Sequence, residues 1–454
     1  MDTSKIGKYR WTICSLLFFA TTVNYLDRQV LSLLKPTLEE EFGWTNSDYA
    51  NIASVFQFSY AISMLFAGRI IDKLGTKWGF AWAIIIWSVG AAIHGFAIPM
   101  GESVVAVLGW VGIAAVPVSI AGFMLSRAVL GFGESGNFPA AIKATAEYFP
   151  KKERAFATGI FNSGTNVGAI LAPLTVPWIA TNWGWEAAFF IIGSIGFLWL
   201  IFWFIFYEKP ENQKRLSKEE FNYINSDNIE SESENSTKNT EELSWVKLLG
   251  YKQTWAFAVG KFLTDGVWWF FLFWLPAYLK DQYHMTGTQI ILPLTVLYSL
   301  TMFGSIGGGW FPIYFIKKGY TPYDGRMKAM LLIAVVPLVV LLAQPLGGIS
   351  FWMPVLLIGV AASAHQAWSA NLFTTVSDMF PKKSIASVIG IGGMAGGLGG
   401  VIVTKTGGAL FDKYKALGHI ETGYTMMFAF CAIAYLLAWV IMKTLVPKYK
   451  SVVA

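Results

Sequence analysis

Long apolar runs alternate with short polar connections over nearly the whole chain. A helix needs about 20 mainly apolar residues to cross the hydrocarbon layer of a membrane. Before residue 208, runs of this length occupy positions 11–34, 49–71, 78–98, 112–142, 154–180 and 184–207. After residue 252, they occupy positions 253–278, 288–316, 327–345, 350–377, 385–411 and 421–446. The pattern predicts an all-α integral membrane protein with twelve transmembrane helices.

Two segments depart from this alternation. Residues 208–252 are polar, rich in Ser, Asn and Glu, and nearly free of large apolar side chains. They cannot bury enough apolar surface to fold tightly, so we predict a mobile loop with a short helix near 217–228, between an N-terminal half, 1–207, and a C-terminal half, 253–454. Residues 99–120 are longer and more apolar than a simple connection needs. They predict either an extended third or fourth helix or a short interfacial segment.

The first apolar run has the charge pattern of a signal peptide, because Lys5, Lys8 and Arg10 precede it. No small-residue cleavage site follows it, and the apolar pattern resumes through Leu34. We therefore predict that this run is a first transmembrane helix that the protein retains.

The composition excludes several classes of protein. Charged residues make up 14% and hydrophobic residues 55% of the 454 residues, whereas an ordinary soluble protein carries about 25% charged residues. This is too little charge for a soluble enzyme, a disordered regulator or a nucleic-acid-binding protein, although the net charge is +6. The sequence contains no metal-ligand cluster and no nucleophile–base pair, so we predict no enzymatic activity, metal or cofactor.

Lysine and arginine are distributed unequally between the two sides that twelve crossings define. The side with both termini and the central loop carries 26 of the 34 Lys and Arg residues, and the other side carries five. Because loops rich in these residues stay in the cytoplasm, we predict that both termini and the 208–252 loop are cytoplasmic.

The chain also contains an internal repeat. Residues 147–152 (EYFPKK) recur as 378–383 (DMFPKK) at an offset of 231 residues, and Gly159 matches Gly390 at the same offset. Each copy joins the fourth and fifth helix of its half. The match in topological position predicts two pseudo-symmetric six-helix bundles.

Several motifs resemble those of one family of transporters. Residues 68–77 (GRIIDKLGTK) are similar to the signature that joins the second and third helices in the major facilitator superfamily. Within it the chain resembles the anion:cation symporters, and most closely the bacterial hexuronate transporters. This resemblance is carried by 24–32 (NYLDRQVLS), 127–141 (RAVLGFGESGNFPAA), 149–169, 261–274 (KFLTDGVWWFFLFW) and 365–373 (HQAWSANLF). The extra length at 99–120 departs from the family pattern.

The resemblance implies a secondary transporter that imports a hexuronate (glucuronate or galacturonate) by proton symport, with alternating access to a midplane site. It implies a bacterial inner-membrane protein, and we predict a monomer. The alternatives are a symporter of another acid (an aldonate, aldarate, sialic acid or organic anion), a receptor that does not transport, and a uniporter. Na⁺ remains an alternative coupling ion.

The loop between the second and third helices is a candidate latch. In the superfamily this loop holds the two halves together when the cavity faces outward, which assigns Gly68, Asp72, Lys73 and Lys77 to a conformational latch. The corresponding loop of the second half, 317–319 (KKG), lacks the acidic residue. We therefore expect any second latch to be weaker.

Charged residues inside the predicted helices indicate function, because each costs roughly 2.5–3.5 kcal/mol on insertion scales. Arg28 follows Asn24 by four residues and Tyr25 by three, which places their side chains near one another. A guanidinium presents a planar fork that fits a carboxylate. We predict that Arg28 and Tyr25 bind the substrate carboxylate, as the matching residues of the anion:cation symporters imply. The alternative is an ion pair of Arg28, with Asp27 or another helix, that only fixes packing.

A second charged pair suggests proton coupling. Arg127 and Glu134 are two turns apart on one face of the fourth helix. Burial favours the neutral form of a carboxyl group, and a nearby arginine favours its ionised form. An arginine that moves between partners would load and release a proton. We predict Asp27 and Glu134 as proton sites and Arg127 as the switch, which the resemblance supports; the alternative is a permanent Arg127–Glu134 bridge.

Other polar residues complete the predicted site. Lys261 and Asp265 are four residues apart, which favours an intrahelical ion pair; alternatively, Lys261 gives a second cationic contact to the sugar acid. Trp368 and Asn371 on the tenth helix suit a hydroxylated ring, whereas His365 is expected to be a hydrogen-bonded interior residue. The remaining candidates for the lining are Gln57, Tyr60, Asn162, Asn166 and Ser369, with Trp268 and Trp269 as additional aromatic residues.

Overall fold

The structure is a computed structural model that describes residues 7–110, 116–226, 245–380, 384–450 and 452. Its regular elements are helices throughout these ranges. The α-helices before the central loop are α1 (Tyr9–Phe42), α2 (Asn46–Ala92), α3 (Ala97–Trp110), α4 (Val118–Glu134), α5 (Asn137–Tyr148), α6 (Lys151–Trp183) and α7 (Trp185–Phe206). The others are α8 (Lys218–Ile224), α9 (Trp245–Leu249), α10 (Lys252–Tyr283), α11 (Ile291–Lys317), α12 (Pro322–Val335), α13 (Ala343–Gly347), α14 (Trp352–Met379), α15 (Ile385–Ala416) and α16 (Ile420–Leu445).

These helices account for the twelve predicted crossings, although helix and crossing do not correspond one to one. α2 contains two crossings, because the backbone at Gly75 (φ 76°, ψ 159°) leaves the helical region and turns the chain back. The 3₁₀ segment Ile93–Phe96 then carries the third crossing into α3. α4 and α5 together form the fourth crossing, and α12, the 3₁₀ segment Val336–Leu342 and α13 form the ninth. The predicted all-α, twelve-helix fold class is confirmed.

Not every crossing is apolar enough to be recognised by composition alone. Seven helical stretches of the described ranges combine sufficient length with high hydropathy, including Asn46–Trp110 and Ile420–Leu445. α1 and α4 are not among these seven. α1 carries Asp27 and Arg28 of the central site described below, which lower its mean hydropathy, whereas α4 has only 17 residues.

The structure describes parts of the two segments, 99–120 and 208–252, that departed from the alternation of apolar runs and polar connections. α3 extends the third crossing to Trp110, as one of the alternatives for 99–120 proposed, and α4 begins at Val118. Residues 111–115 between them lie outside the described ranges. In the central loop, α8 provides the short helix expected near 217–228. Residues 227–244, and 381–383 of the sequence repeat, also lie outside the description.

The two halves repeat the same packing. In the first half α1 packs along α6, and α2 packs along α4. In the second half α10 packs along α15, and α11 along α14. Helices with the same order in each half therefore have the same neighbours, as expected for two pseudo-symmetric bundles.

The halves meet where α15 packs on α2, α11 on α6 and α10 on α1. Small residues allow this close approach. A Cβ added to Gly397 of α15 would lie 2.6 Å from Ala61 Cβ, and one added to Gly408 would lie 2.6 Å from Ala50 Cβ. The glycine-rich part of α15 is thus a packing surface.

Charged contacts join the halves on the face opposite the chain termini, which we call the far face. Asp412 of α15 accepts hydrogen bonds from the backbone N–H groups of Asn46 (2.8 Å) and Ser47 (2.7 Å), the first residues of α2. A carboxylate at this position also interacts favourably with the helix dipole. Two further ion pairs cross the interface, Lys415–Glu39 at 2.9 Å and Lys280–Glu40 at 2.9 Å. The structure is therefore closed on the far face.

The opposite face, which carries the termini and which we call the terminal face, has no such closure. The predicted latch residue Asp72 forms an ion pair with Lys143 of its own half, at 2.8 Å. Lys77 pairs with Glu208, the first residue of the central loop, and this hydrogen bond holds the pKa of the Glu208 carboxyl below its usual value. Within the part of the chain that the structure describes, no ion pair joins the halves on the terminal face. The latch role of Gly68, Asp72, Lys73 and Lys77 remains a prediction for another conformation.

Candidate functional site

Arg28 occupies the centre of the molecule. It lies in the middle of α1 and is 3% exposed. Its Nε and Nη2 donate to the Glu134 Oε2 atom of α4 at 2.9 and 2.7 Å, and Nη2 also donates to Asn24 Oδ1 at 3.3 Å. The structure therefore realises an inter-helix ion pair, one of the alternatives left open for Arg28.

Aromatic rings surround this guanidinium. Its central carbon lies 4.7 Å from the ring centroid of Tyr25, 5.1 Å from Tyr60, 5.2 Å from Phe56 and 5.0 Å from Trp269. Cation–π contacts of this kind are strongest where water is excluded. Trp269 belongs to α10, so the cage is built from both halves and lies at their interface.

Glu134 lies at an interruption of its crossing. α4 ends at Glu134 and α5 begins at Asn137. Interrupted membrane helices often line binding sites, because their unpaired backbone groups need polar surroundings. Among the described residues Glu134 Oε1 has no hydrogen-bond partner, so the contact with Arg28 engages only one carboxylate oxygen.

Arg127 does not form the bridge to Glu134 that the sequence analysis left open as an alternative. Its two Nη atoms approach the backbone carbonyl oxygen of Arg28 at 3.3 and 3.4 Å. Seven residues of helix rise by about 10.5 Å, so side chains two turns apart share a face but extend toward different parts of α1. The structure thus shows no permanent Arg127–Glu134 bridge, and the partner of Glu134 is Arg28.

Asp27 is isolated although it is adjacent to Arg28 in sequence. It is 2% exposed, and neither carboxyl oxygen has a hydrogen-bond partner among the described residues. Burying an ionised carboxylate without a donor is costly. Asp27 is thus a buried carboxyl group without a donor in the part of the chain that the structure describes, and its role as a proton site stays a prediction.

Lys261 and Asp265 form the intrahelical ion pair that their spacing favoured. The Lys261 ammonium also lies 4.6 Å from the ring centroid of Phe373. A Cβ on Gly396 would overlap Asp265 Oδ2, so α15 packs closely over the carboxylate. In this conformation the positive charge of Lys261 is already neutralised.

The two interpretations of Lys261 predict different results for the same variants. Lys261→Gln should lower the thermal stability, because the partly buried Asp265 carboxylate would lose its cation, at a cost of about 1–3 kcal/mol. Lys261→Gln/Asp265→Asn should recover that stability, as measured by thermal unfolding of the purified protein. Full uptake activity of the double variant would identify the pair as structural, and lost activity with recovered stability would identify Lys261 as a substrate contact.

Two predicted amides contribute hydrogen bonds across the interface between the halves. Gln57 Nε2 donates to Thr404 Oγ1 at 2.9 Å, and Asn166 Oδ1 accepts from Thr301 Oγ1 at 3.2 Å. Asn162, one turn before Asn166 on α6, is only partly buried. These residues lie where relative movement of the halves would change their partners.

Two predicted substrate contacts on the tenth crossing, Trp368 and Asn371, pack against neighbouring helices of the second half. Trp368 is fully buried, edge-to-face with Tyr435 of α16. Asn371 Nδ2 donates to the carbonyl oxygens of Gly308 and Ala367, both at 2.8 Å. In this conformation neither side chain is available to a ligand, so the predicted ring contact stays a prediction that requires a rearrangement of α14.

Ser369 and His365, also on the tenth crossing, differ in how far they are buried. Ser369 is partly exposed. His365 is an interior residue, stacked on Trp268 with centroids 5.0 Å apart and 2.9 Å from the Tyr435 hydroxyl through Nδ1.

Sequence reasoning missed three members of the site. Phe56 forms one wall around Arg28, and Thr301 and Thr404 are the cross-interface partners of the amides. A phenylalanine or threonine in an apolar helix carries no signal that distinguishes it from packing residues. Phe56 does precede Gln57 and Tyr60, and this proximity was the one available indication.

Comparison with known proteins places these features in a family. The family model of the Major Facilitator Superfamily matches residues 17–404. The hexuronate transporter of Escherichia coli (strain K12) is 29% identical over 453 residues, covering 99% of this chain and 96% of that protein. The galacturonate transporter of Dickeya chrysanthemi is 31% identical over 313 residues, covering 69% and 84%. The D-galactonate transporter of Escherichia coli O6:H1 is 26% identical and covers 91% and 92%.

Solved structures agree on the fold. A D-xylose–proton symporter has a TM-score of 0.70 at 15% identity, covering 98% of this chain and 100% of that one. A bacterial homologue of the human lysosomal transporter Spinster, in an inward-facing and unoccupied conformation, has a TM-score of 0.70 at 18% identity, covering 96% and 98%. At these identities the similarity concerns the fold alone.

Proposed function

Because the chain belongs to the major facilitator superfamily, we propose that it imports a hexuronate, glucuronate or galacturonate, by proton symport. The family and the relatives are transporters, so the chain is a multi-pass membrane transporter of sugar acids and not an enzyme. The observation that carries the finer proposal is the buried Arg28–Glu134 pair at the interface between the halves. The proposal includes a bacterial inner membrane and cytoplasmic termini, supported by the hexuronate transporter of Escherichia coli and by the distribution of Lys and Arg. It also includes a monomer.

Arg28 is the proposed anchor for the substrate carboxylate. Its guanidinium is buried, so an incoming carboxylate would form charge-assisted hydrogen bonds with little competition from water. Tyr25 and Tyr60 lie against the guanidinium and would border the bound carboxylate. Trp269 faces the same cation from the second half and offers an aromatic surface to the sugar ring.

The proposed coupling follows from competition for Arg28. Its Nε and Nη2 atoms are both occupied by Glu134 Oε2, so a substrate carboxylate that takes this fork must displace Glu134. A displaced Glu134 would be a buried carboxylate without its cation, and protonation removes this cost. Substrate and proton therefore bind together. Asp27 is the second proposed proton site. Arg127, whose side chain contacts the Arg28 carbonyl oxygen, would stabilise Asp27 or Glu134 when either has released its proton.

Alternating access would exchange the two closures. In the present conformation the far face is closed by Asp412, Lys415 and Lys280. Rocking of the halves would break these contacts and bring the Asp72 loop, with Gly68, Lys73 and Lys77, onto the second half. Gln57 and Asn166 would then lose Thr404 and Thr301 and become available, with Asn162 and Ser369, for sugar hydroxyls.

Asp412→Asn is expected to open the far face. The change removes the charge and one of two acceptors at the start of α2, where a charge-assisted hydrogen bond contributes about 1.5–3 kcal/mol. With Ser54→Cys as a buried reporter on α2, a membrane-impermeant maleimide added at the far face should react at least about tenfold faster. Both native cysteines are buried, so they should contribute little to the labelling.

Asp48→Asn is the matched control, because Asp48 caps the same helix from within its own half through Thr45. Equal labelling rates in the Asp412 variant and its parent would argue against a role of Asp412 in closing the far face.

One second substrate class has specific support. The match to the D-galactonate transporter covers 91% of this chain. An aldonate also carries a single carboxylate that could bind Arg28. Uptake of labelled glucuronate, measured with excess unlabelled galacturonate, galactonate, glucarate or sialic acid, separates the classes. Strong competition by galacturonate alone supports the hexuronate, and strong competition by galactonate with weak competition by galacturonate supports the aldonate.

A further inference from the structure

A groove of about 330 Å³ lies on the outside of the second half, away from the central site. It is formed by α11, α14 and the ninth crossing, and its lining is almost wholly apolar. Its lining includes Gly304, Gly307, Gly308, Phe311, Val336 and Ala364. Phe303, which also lines the groove, is 71% exposed and its neighbour Ile306 is 75% exposed, so the groove opens on the surface that faces the hydrocarbon.

One helical stripe leads from this groove to the terminal face. Gly304, Gly308, Phe311, Tyr314 and Lys318 follow one another at spacings of three or four residues, which places them on one side of α11 and its C-cap. At 1.5 Å per residue, Lys318 is about 10 Å beyond Phe311 and about 21 Å beyond Gly304. Half of a bilayer's hydrocarbon core is about 15 Å thick. An acyl chain whose headgroup lies at Lys318 would therefore follow this stripe for about 10 Å, enter the groove at Phe311 and reach Gly308 near the middle of the bilayer.

Near the terminal-face end of this stripe, two lysines contact tyrosine rings but have no acidic partner among the described residues. The Lys318 ammonium lies 4.4 Å from the ring centroid of Tyr314, and the Lys328 ammonium of α12 lies 3.6 Å from that of Tyr320. Among the described residues, neither ammonium has a carboxylate within 4.0 Å. The acidic residues of this region are engaged elsewhere, in the pairs Lys443–Asp324 and Arg326–Asp378.

We propose that this groove binds an anionic phospholipid of the leaflet at the terminal face, with an acyl chain along α11 and its phosphate on Lys318 and Lys328. Hydrocarbon is the medium that covers an apolar groove on this surface, and exposed lysines at headgroup level attract anionic headgroups. Tyrosines at the same level are typical of the membrane interface. A zwitterionic lipid brings its own cation to the two lysines and therefore binds more weakly.

Native mass spectrometry of the purified full-length protein, titrated with phosphatidylglycerol or phosphatidylcholine of identical acyl chains, tests the headgroup contact. Wild type should prefer phosphatidylglycerol, and Lys318→Gln/Lys328→Gln should weaken its binding about tenfold with little effect on phosphatidylcholine. Lys209→Gln/Lys214→Gln removes two exposed lysines near the terminal face of the first half and is the charge-matched control. Unchanged phosphatidylglycerol binding by the Lys318/Lys328 variant, or an equal loss in the control, would overturn the headgroup assignment.

Gly307→Leu tests the groove separately. A Cβ at Gly307 meets nothing within 4 Å, and leucine is a better helix former than glycine, so the variant should fold. Its side chain would fill the groove and weaken the binding of both lipids several-fold. Equal lipid binding by Gly307→Leu and wild type, with the fold verified by thermal unfolding, would refute acyl-chain binding in the groove.

Discussion

Replacing Arg28 by alanine is expected to reduce hexuronate uptake at least about hundredfold. The variant loses the planar donor that would hold the substrate carboxylate, and charge-assisted hydrogen bonds contribute about 1.5–3 kcal/mol each. No other cation in the described site replaces it, because Lys261 is neutralised by Asp265 and Arg127 is directed at a backbone carbonyl. Uptake of labelled glucuronate into proteoliposomes measures the effect.

Two companion variants separate binding from folding. Arg28→Ala/Glu134→Gln removes the carboxylate that the single variant leaves without a cation, so its thermal stability should exceed that of Arg28→Ala while uptake stays absent. Arg28→Lys keeps the charge but not the fork, and it should retain only weak uptake. Recovery of uptake in the double variant would show that Arg28 serves only as the structural partner of Glu134.

Glu134→Gln is expected to separate transport from its driving force. A glutamine neither competes for Arg28 as an anion nor carries the proton, so substrate should still bind and exchange across the membrane. Binding by wild type should tighten as the pH falls, by up to about tenfold per pH unit when one proton enters with the substrate. In Glu134→Gln this dependence should flatten, and an inward proton gradient should no longer drive accumulation.

Counterflow of labelled against unlabelled glucuronate gives the control for this variant. Counterflow without gradient-driven accumulation is the expected combination, since exchange requires the binding site and rocking but no net proton movement. Asp27→Asn, examined in parallel, tests whether the second carboxyl group contributes to the pH dependence of the wild type. Gradient-driven accumulation at the wild-type level by Glu134→Gln would exclude Glu134 as the coupling residue.

The fold could be predicted from the hydrophobic pattern because each crossing must satisfy its backbone internally over a fixed length. The central position of Arg28 and Glu134 followed from the cost of intramembrane charge. Their pairing did not, because helical periodicity tells which residues share a face and not which helix that face meets. The spacing left an Arg127–Glu134 bridge and an inter-helix ion pair of Arg28 both open, and the structure pairs Glu134 with Arg28.

The tenth crossing shows the same limit. Trp368 and Asn371 have the chemistry that suits a sugar ring, but the rotation of α14 buries the indole against Tyr435 and uses the amide for packing on α11. Likewise, Asp72 carries a family motif, yet its partner here is Lys143. One sequence specifies both conformations of a rocking transporter, so sequence alone does not tell which closure a given structure shows.

The central claim is that Arg28 holds either Glu134 or the substrate, so that substrate binding takes up a proton. Adding glucuronate to the purified protein in a weakly buffered solution with a pH indicator tests it most directly. The account predicts that the solution becomes more alkaline, by about one proton per bound substrate in wild type and by much less in Glu134→Gln. Saturable glucuronate binding by wild type without proton uptake, or equal proton uptake by Glu134→Gln, would contradict it.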